Sequence, residues 1–145
     1  MVRRMILATL LLVAAAWSET KTDAVKLVDD AAKQLATQPR EVVVAELSKA
    51  EGKWVKGELY VFAYDLQGMM VAHPKNPKLI GKNLLEVPDV DGKLFRKEIV
   101  ELAKTKGSGW VDYKYKNPET AKTEAKTTYL KKVGDLILCC GIYKD

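Results

Sequence analysis

The segment "YVFAYDLQGMMVAHPKNPK", from Tyr60 to Lys78, carries the side chains best suited to chemistry. Aromatic residues alternate along it, and it turns polar at His73, the only histidine in the chain. One imidazole without a second histidine is a poor basis for a metal site, so we predict no metal here. A histidine at a strand end either contacts a ligand or has a structural role, and the residues alone leave both interpretations open.

Tyr60, Phe62 and Tyr64 share one face of the predicted strand, because side chains alternate along a strand. They form either part of the core or the aromatic wall of a ligand pocket. The two tyrosines favour the pocket, since a buried phenol needs a hydrogen-bond partner. The smaller Val61 and Ala63 are expected to face the helices instead.

Lys126 and Lys131 lie in a later predicted strand, "AKTTYLKK". A lysine in a strand is usual at an edge or rim, where it discourages pairing with other chains. The alternative is an ammonium group that faces an anion on the concave side of the sheet. The sequence leaves both interpretations open.

Catalysis finds little support in the sequence. Cys139 and His73 would be the only nucleophile and base, and no neighbouring residue activates that thiol. Adjacent Cys139 and Cys140 should point to opposite faces of a buried strand. The segment "VPDVDGKLFRKE" resembles part of a calcium loop, but Val87 occupies the first ligand position and offers no side-chain oxygen. We therefore predict no enzyme, no metal and no cofactor.

Length and charge restrict the function further. The 145 residues suffice for one domain with a core. The formal net charge is +5, from 24 Lys and Arg against 19 Asp and Glu, and the lysines are scattered among acids. This pattern is typical of a solvated surface rather than of a nucleic-acid interface.

Residues 1–18 have the layout of a secretory signal peptide. A basic start, "MVRR", precedes a short apolar run, and Ala16 and Ser18 are small residues before the expected cleavage point. The run is shorter than the roughly 20 residues of a membrane span. We expect a periplasmic or secreted protein after cleavage, or a membrane anchor at the N-terminus if the segment stays uncleaved.

The remaining pattern predicts an α+β fold. Residues 19–52 should form two helices, or one long helix kinked at Pro39, ahead of a core at 53–145. The core should be a five-stranded antiparallel sheet, with a covering loop at 74–93 and a helix at 94–106 on one face. Asp91 is expected to cap this last helix, and Gly107 to end it. The predicted strands are 59–65, 69–73, 110–116, 125–133 and 136–143.

The segments "YVFAYDLQGMMVAHP", "NPKLIGKNL", "DGKLF", "GSGWVDYKY" and "KTTYLKKV" occur in a characteristic order. Together they closely resemble the single Cache domain, of the second single-Cache type, found in bacterial chemoreceptors and sensor kinases. The similarity covers about residues 20–143. It implies a PAS-like sheet behind a long N-terminal helix, and a small ligand, often a short-chain carboxylate, between the sheet and its loop side.

The resemblance also implies which residues form the site. His73 and Pro74 should lie at the mouth of the pocket. The ligand-binding residues that it implies are Tyr60, Phe62, His73, Pro74, Trp110, Lys126 and Tyr129. Lys126 and Tyr129 differ in strand parity, so both can point inward only if the strand contains a bulge.

The function expected from this resemblance is that of an exported sensor or binding protein for a small organic anion such as a short-chain carboxylate. Because the sequence ends two residues after Tyr143, we expect action through a separate partner, a membrane receptor or a kinase. A homodimer through the N-terminal helix is expected from the family. The alternative is a structural or assembly protein of the cell envelope that uses this helix to dimerise and keeps only a vestigial pocket.

Overall fold

A computed structural model describes residues 20–144 of the chain. The predicted signal peptide at residues 1–18 lies outside the described residues. Among the residues described, no helix is both long enough and apolar enough to span a membrane.

Two helices open the described chain, as the first of the two sequence interpretations predicted. Helix α1 covers Lys21–Thr37, and helix α2 covers Arg40–Leu47. A capping box begins α1, in which the Thr20 hydroxyl accepts from the Asp23 backbone N–H and the Asp23 carboxylate accepts from the Thr20 N–H. Helix α2 ends before the predicted limit near Gly52, and turns fill the interval.

The sheet has six strands rather than the five predicted. They are β1 (Val55–Lys56), β2 (Leu59–Asp65), β3 (Met70–Ala72), β4 (Ser108–Lys116), β5 (Thr123–Val133) and β6 (Leu136–Tyr143). The order is β1-β2-β6-β5-β4, with β3 paired to β2, and every pairing is antiparallel. The missed strand β1 is two residues long and folds back on β2 through Gly57, too short to give a periodic signal.

The two faces of the sheet have separate cores. One face packs on α1 and α2 through small and aliphatic residues that include Val61, Ala63, Leu138 and Cys140. We call this the helix face. The opposite face carries Tyr60, Phe62 and Tyr64, as the alternation predicted, and packs on the loop and on helix α3 (Phe95–Lys106). Because the resemblance implies a ligand between the sheet and this loop, we call this the ligand face.

The segment between β3 and α3 is irregular but packed. It contains one 3₁₀ turn, Pro77–Leu79, and buries Leu84 against the ligand face. The predicted cap of α3 was wrong: Leu94 is the N-cap, and its side chain makes no capping hydrogen bond. Gly107 ends the helix with a left-handed φ of 80°, as predicted.

The helix layer should contribute strongly to stability. Leu47 of α2 is fully buried, whereas Val42 of the same helix is 47% exposed. We expect Leu47→Ala to lower the free energy of unfolding by about 2–5 kcal/mol through lost burial and a residual cavity. Val42→Ala, the matched control, should change it by less than about 0.5 kcal/mol. Urea denaturation followed by circular dichroism measures both, and equal costs would contradict the assignment of α2 to the core.

Candidate ligand-binding site

Lys126 is buried on the ligand face among five aromatic rings. Its side chain is 1% exposed, and its Nζ lies 4.8–5.9 Å from the ring centroids of Tyr60, Phe62, Tyr113, Tyr115 and Tyr143. No acidic residue in the described part of the chain forms an ion pair with it. Each ring face stabilises a cation by only about 0.5–2 kcal/mol. The rings therefore offset only part of the cost of burying the ammonium, and a nearby anion would stabilise it further.

Gly141 of β6 makes the room for this lysine. A Cβ atom at Gly141 would lie 2.3 Å from Cε of Lys126 and 2.4 Å from Oγ1 of Thr128. The lysine chain therefore runs across the neighbouring strand through a gap that only glycine leaves open. This gap lets the ammonium extend from β5 across β6 to Tyr60 on β2.

Lys126 is linked to two tyrosines by hydrogen bonds. Its Nζ donates to the Tyr60 hydroxyl at 3.1 Å, and that hydroxyl lies 3.4 Å from the Tyr143 hydroxyl. The pKa of Lys126 is lowered to about 7, mainly by burial; the two neighbouring thiols raise this pKa, and the Arg96 guanidinium contributes to lowering it. Near neutral pH this lysine is therefore poised between its two charge states.

His73 lies on the same face, directly after β3. Its ring centroid is 5.2 Å from that of Tyr60 and 5.5 Å from that of Phe62. The backbone N–H groups of Lys75 and Asn76 donate to its Nδ1 at 3.1 and 2.8 Å. Burial, and then the charges of Lys126 and Arg96, lower its pKa to about 3. The ring is thus neutral at physiological pH, with its hydrogen on Nε2, and acts only as a donor from that atom.

A cavity of about 330 Å³ opens beside these residues. Its lining consists of Tyr60, His73, Lys75, Asn76, Tyr115, Lys116, Pro118 and Ala121. Lys126 lies behind this wall, because Tyr60 and Tyr115 both line the cavity and contact the ammonium. The volume is in the range of small-molecule sites. Six of the lining residues carry a side-chain hydrogen-bond donor: Tyr60, His73, Lys75, Asn76, Tyr115 and Lys116.

The structure brings together only part of the predicted site. Tyr60, Phe62, His73 and Lys126 cluster on the ligand face, and Pro74 is buried next to His73 without lining the cavity. The sequence left open whether the aromatic residues of β2 lie in the core or line a pocket. Tyr64 lies in the core, whereas Tyr60 lies in the core and also lines the cavity.

Trp110 and Tyr129 require a correction. They are register partners on β4 and β5, and both pack on the helix face, where Lys21 of α1 lies over the Trp110 ring. Strand β5 contains no bulge between Lys126 and Tyr129 in its pairing with β6. The parity difference seen in the sequence therefore holds, and these two aromatic residues do not face the cavity.

Sequence reasoning missed Tyr115, Tyr143, Asn76 and Arg96. Tyr143 is the register partner of Lys126 on β6, and Tyr113 and Tyr115 lie on the same face of β4. The alternation of side chains along each strand, followed from Lys126 across the hairpins to β4 and β6, would have identified these tyrosines as lying on the same face. Arg96 gave no comparable signal, since its neighbours in "FRKE" match an ordinary solvated helix.

The cysteines are as predicted. Cys139 points to the ligand-face core and Cys140 to the helix-face core, and both thiols are free and buried. Burial raises the pKa of Cys140 to about 12 and that of Cys139 higher still, so neither is a ready nucleophile. Within residues 20–144, no group of three or more His, Cys, Asp or Glu side chains could hold a metal ion.

The site is a buried cation and a set of polar groups beside a cavity of the sheet, and comparison with known proteins gives the class of domain. The sequence profile of the Cache domain matches residues 23–145. The chain therefore belongs to the Cache domain family, whose members are non-enzymatic ligand-binding domains of extracytoplasmic sensors.

Two similar proteins are signalling proteins. The chain is 35% identical over 88 residues to the methyl-accepting chemotaxis protein McpP of Pseudomonas putida, a match that covers 59% of this chain and 16% of McpP. It is 30% identical over 88 residues to the sensor histidine kinase MctS of Rhizobium johnstonii, covering 59% of this chain and 19% of MctS. The chain thus matches less than a fifth of the length of either relative.

One solved structure shares the whole architecture. It is a Cache chemosensory domain studied for its recognition of carboxylic acids, with a TM-score of 0.73 and 27% sequence identity. The superposition covers 88% of this chain and all of the other. The predicted fold, helices followed by a PAS-like antiparallel sheet, is therefore confirmed apart from the number of strands.

The gap at Gly141 gives a test of how Lys126 is held. Gly141→Ala should lower the free energy of unfolding by about 1–3 kcal/mol, because the new methyl group overlaps Cδ and Cε of Lys126. In a Lys126→Ala background the part of this cost that comes from Lys126 should vanish, whereas the close contact with Oγ1 of Thr128 stays. A double-mutant cycle by urea denaturation measures the coupling. Additive costs would show that the lysine chain does not pass over Gly141.

The lowered pKa of Lys126 gives a test by pH. Between pH 7 and about 10, the unfolded lysine binds a proton that the folded one has lost, so folding stability should rise with pH. Relative to Lys126→Met, the ligand-free protein should gain about 1 kcal/mol per pH unit from pH 7.5 to 9.5. Denaturation curves at each pH measure the difference, and parallel profiles would contradict the burial of the ammonium.

Proposed function

We propose that this chain is an extracytoplasmic sensor module that binds a small organic anion, a short-chain carboxylate, in the cavity on its ligand face. One observation carries the proposal: a lysine that is 1% exposed lies behind the cavity wall without an acidic partner among the described residues. A carboxylate that reaches this region supplies the missing negative charge. The domain studied for carboxylic acid recognition, which has the same architecture, supports this choice of ligand.

The hydrogen-bond directions explain how such a ligand would be held. Lys126 donates to the oxygen of Tyr60, so the phenolic hydrogen of Tyr60 is free to point to Tyr143 or to a ligand oxygen. The charged lysine makes this phenol a stronger donor. His73 offers its Nε2 hydrogen, because backbone donors already occupy Nδ1. A carboxylate has two oxygens and can accept from both side chains.

Tyr115 and the alanine and proline of the lining would contact the apolar part of the ligand. The cavity of about 330 Å³ has room for an acid of a few carbons and for accompanying water. Short-chain acids gain little from burial alone, at about 0.8 kcal/mol for each buried CH₂ group. Recognition by this site therefore depends on its polar end.

Signal output is proposed from the relatives. The matched segment lies in a chemoreceptor in one case and in a histidine kinase in the other. We infer that the ligand-bound state of this domain is passed to a membrane receptor or kinase. A separate partner chain, and a homodimer through α1, stay predictions.

A titration series tests the ligand class. The unmodified protein is titrated with acetate, propionate, lactate and pyruvate, and with propionamide as an uncharged control. Ligand at about 100 times its Kd should add about 2.7 kcal/mol of stability, a Tm shift of roughly 3–6 °C. We expect Lys126→Met and Tyr60→Phe to weaken carboxylate binding at least tenfold, and Tyr129→Phe, on the helix face, to leave it unchanged.

His73 has a matched variant in this series. Asparagine at this position keeps an acceptor for the two backbone donors but lacks the Nε2 hydrogen, so His73→Asn should weaken binding with little change in the Tm of the free protein. Binding of propionamide as tight as that of propionate, or an acid whose affinity survives Lys126→Met, would overturn the proposal.

A further inference from the structure

Arg96 is a second buried cation on the ligand face. It is 5% exposed, and none of the ion pairs in the described part of the chain includes it. Its Nε donates to the Tyr64 hydroxyl at 3.2 Å, and its Nη1 donates to the Val87 carbonyl at 3.4 Å. Its guanidinium carbon lies 4.3 Å from the centroid of the Phe95 ring. Two of the five N–H donors are thus satisfied, and the charge is not.

A second cavity opens onto this arginine. It also measures about 330 Å³, and its lining includes Leu79, Val87, Phe95, Arg96 and Tyr115, together with Asp89, whose carboxylate is held by backbone N–H groups, and the cations Lys114 and Lys116. It shares Asn76, Tyr115 and Lys116 with the first cavity, so the two adjoin along one wall. Phe95 and Arg96 begin α3, and no side chain caps the start of this helix, which adds a weak positive potential at the same place.

Strand β2 sets the distance between the two cations. The ammonium of Lys126 lies beside Tyr60 and Phe62, whereas the guanidinium of Arg96 binds Tyr64. The separation is therefore two to four residues along one strand face, roughly 7–13 Å at about 3.3 Å per residue. Each group also lowers the pKa of His73, which lines the first cavity.

We propose that the two cavities form one elongated site for a short dicarboxylate, with one carboxylate at Tyr60, His73 and Lys126 and the other at Arg96. This inference rests on the proposed function and narrows its ligand class. A diacid of four to six carbons in an extended form, with a hydrogen bond of about 2.9 Å at each end, spans the estimated interval. A monocarboxylate would leave one of the two buried cations without a counter-charge, and a diacid serves both.

A purely structural role is the rival explanation for Arg96. Its two hydrogen bonds connect β2 to the loop before α3, and they would hold that loop in place without any ligand. Such a role predicts a general loss of stability on substitution and no change in the preference between ligands. The preference between acids of equal length is therefore the decisive quantity.

Calorimetric titration with pairs of equal carbon number tests the proposal: succinate against butyrate, and glutarate against valerate. The unmodified protein should bind each diacid at least tenfold more tightly than its partner, with one diacid per chain. Arg96→Gln should remove this preference, because it weakens the diacid of each pair at least tenfold more than its monocarboxylate. Arg96→Lys, which keeps the charge, should retain part of the preference. Thermal unfolding confirms that each variant is folded.

Three results would overturn the inference. The unmodified protein could prefer the monocarboxylate of each pair, Arg96→Gln could weaken both acids of a pair equally, or two monocarboxylates could bind per chain at separate sites. If neither class of acid binds, the proposed function itself fails, which is a different result from a loss of the diacid preference.

Discussion

Burial of the Lys126 ammonium without a carboxylate is the constraint on which the ligand face depends. Moving a lone cation out of water is unfavourable by several kcal/mol, and rings and one phenol offset only part of that. Three neighbouring residues make the burial of this cation possible. Gly141 opens the path for the side chain, Tyr60 accepts a hydrogen bond from it, and Tyr143 continues the chain of hydroxyls. The ammonium can therefore be buried in the folded protein, although it still lacks a negatively charged partner.

Strand alternation separates the two tasks of the sheet. On β6, Cys139 faces the polar, aromatic side and Cys140 faces the helices, and on β5 Lys126 and Tyr129 divide in the same way. The helix face is filled with small and aliphatic residues that pack closely against α1 and α2. Both faces contribute a core, and the cavities and the unpaired cations lie on one of the two.

Periodic and local signals made much of the fold predictable from the sequence. Pro39, Gly107 and the alternating run at 59–65 mark their elements correctly, and the sequence of β6 gives its bounds without error. Failures occurred where the signal was short or depended on distant partners. Two residues of β1 show no period, and the cap of α3 depended on how the Asp89 carboxylate organises its loop, where it accepts from the Asp91 and Lys93 N–H groups.

The site was predictable to the extent that strand parity was followed. His73 and Lys126 stood out as unusual residues in apolar surroundings, and both lie where a ligand could meet them. Trp110 and Tyr129 were assigned by similarity of segments, although parity already separated Tyr129 from Lys126. Arg96 depends on the packing of α3 over Tyr64, a contact between positions 32 residues apart that no local pattern reveals.

Because Lys126 has no negatively charged partner, the binding of an anion also changes how many protons the protein holds. With its pKa near 7, the lysine is only partly protonated in neutral solution, and an anion nearby favours the protonated form. Under the proposed function, each carboxylate would therefore bring a fraction of a proton with it, so that the transfer resembles uptake of the undissociated acid. A transfer that carries less net charge is less affected by mobile ions. Occupancy of the site would then follow the acidity of the surroundings more closely than their salinity.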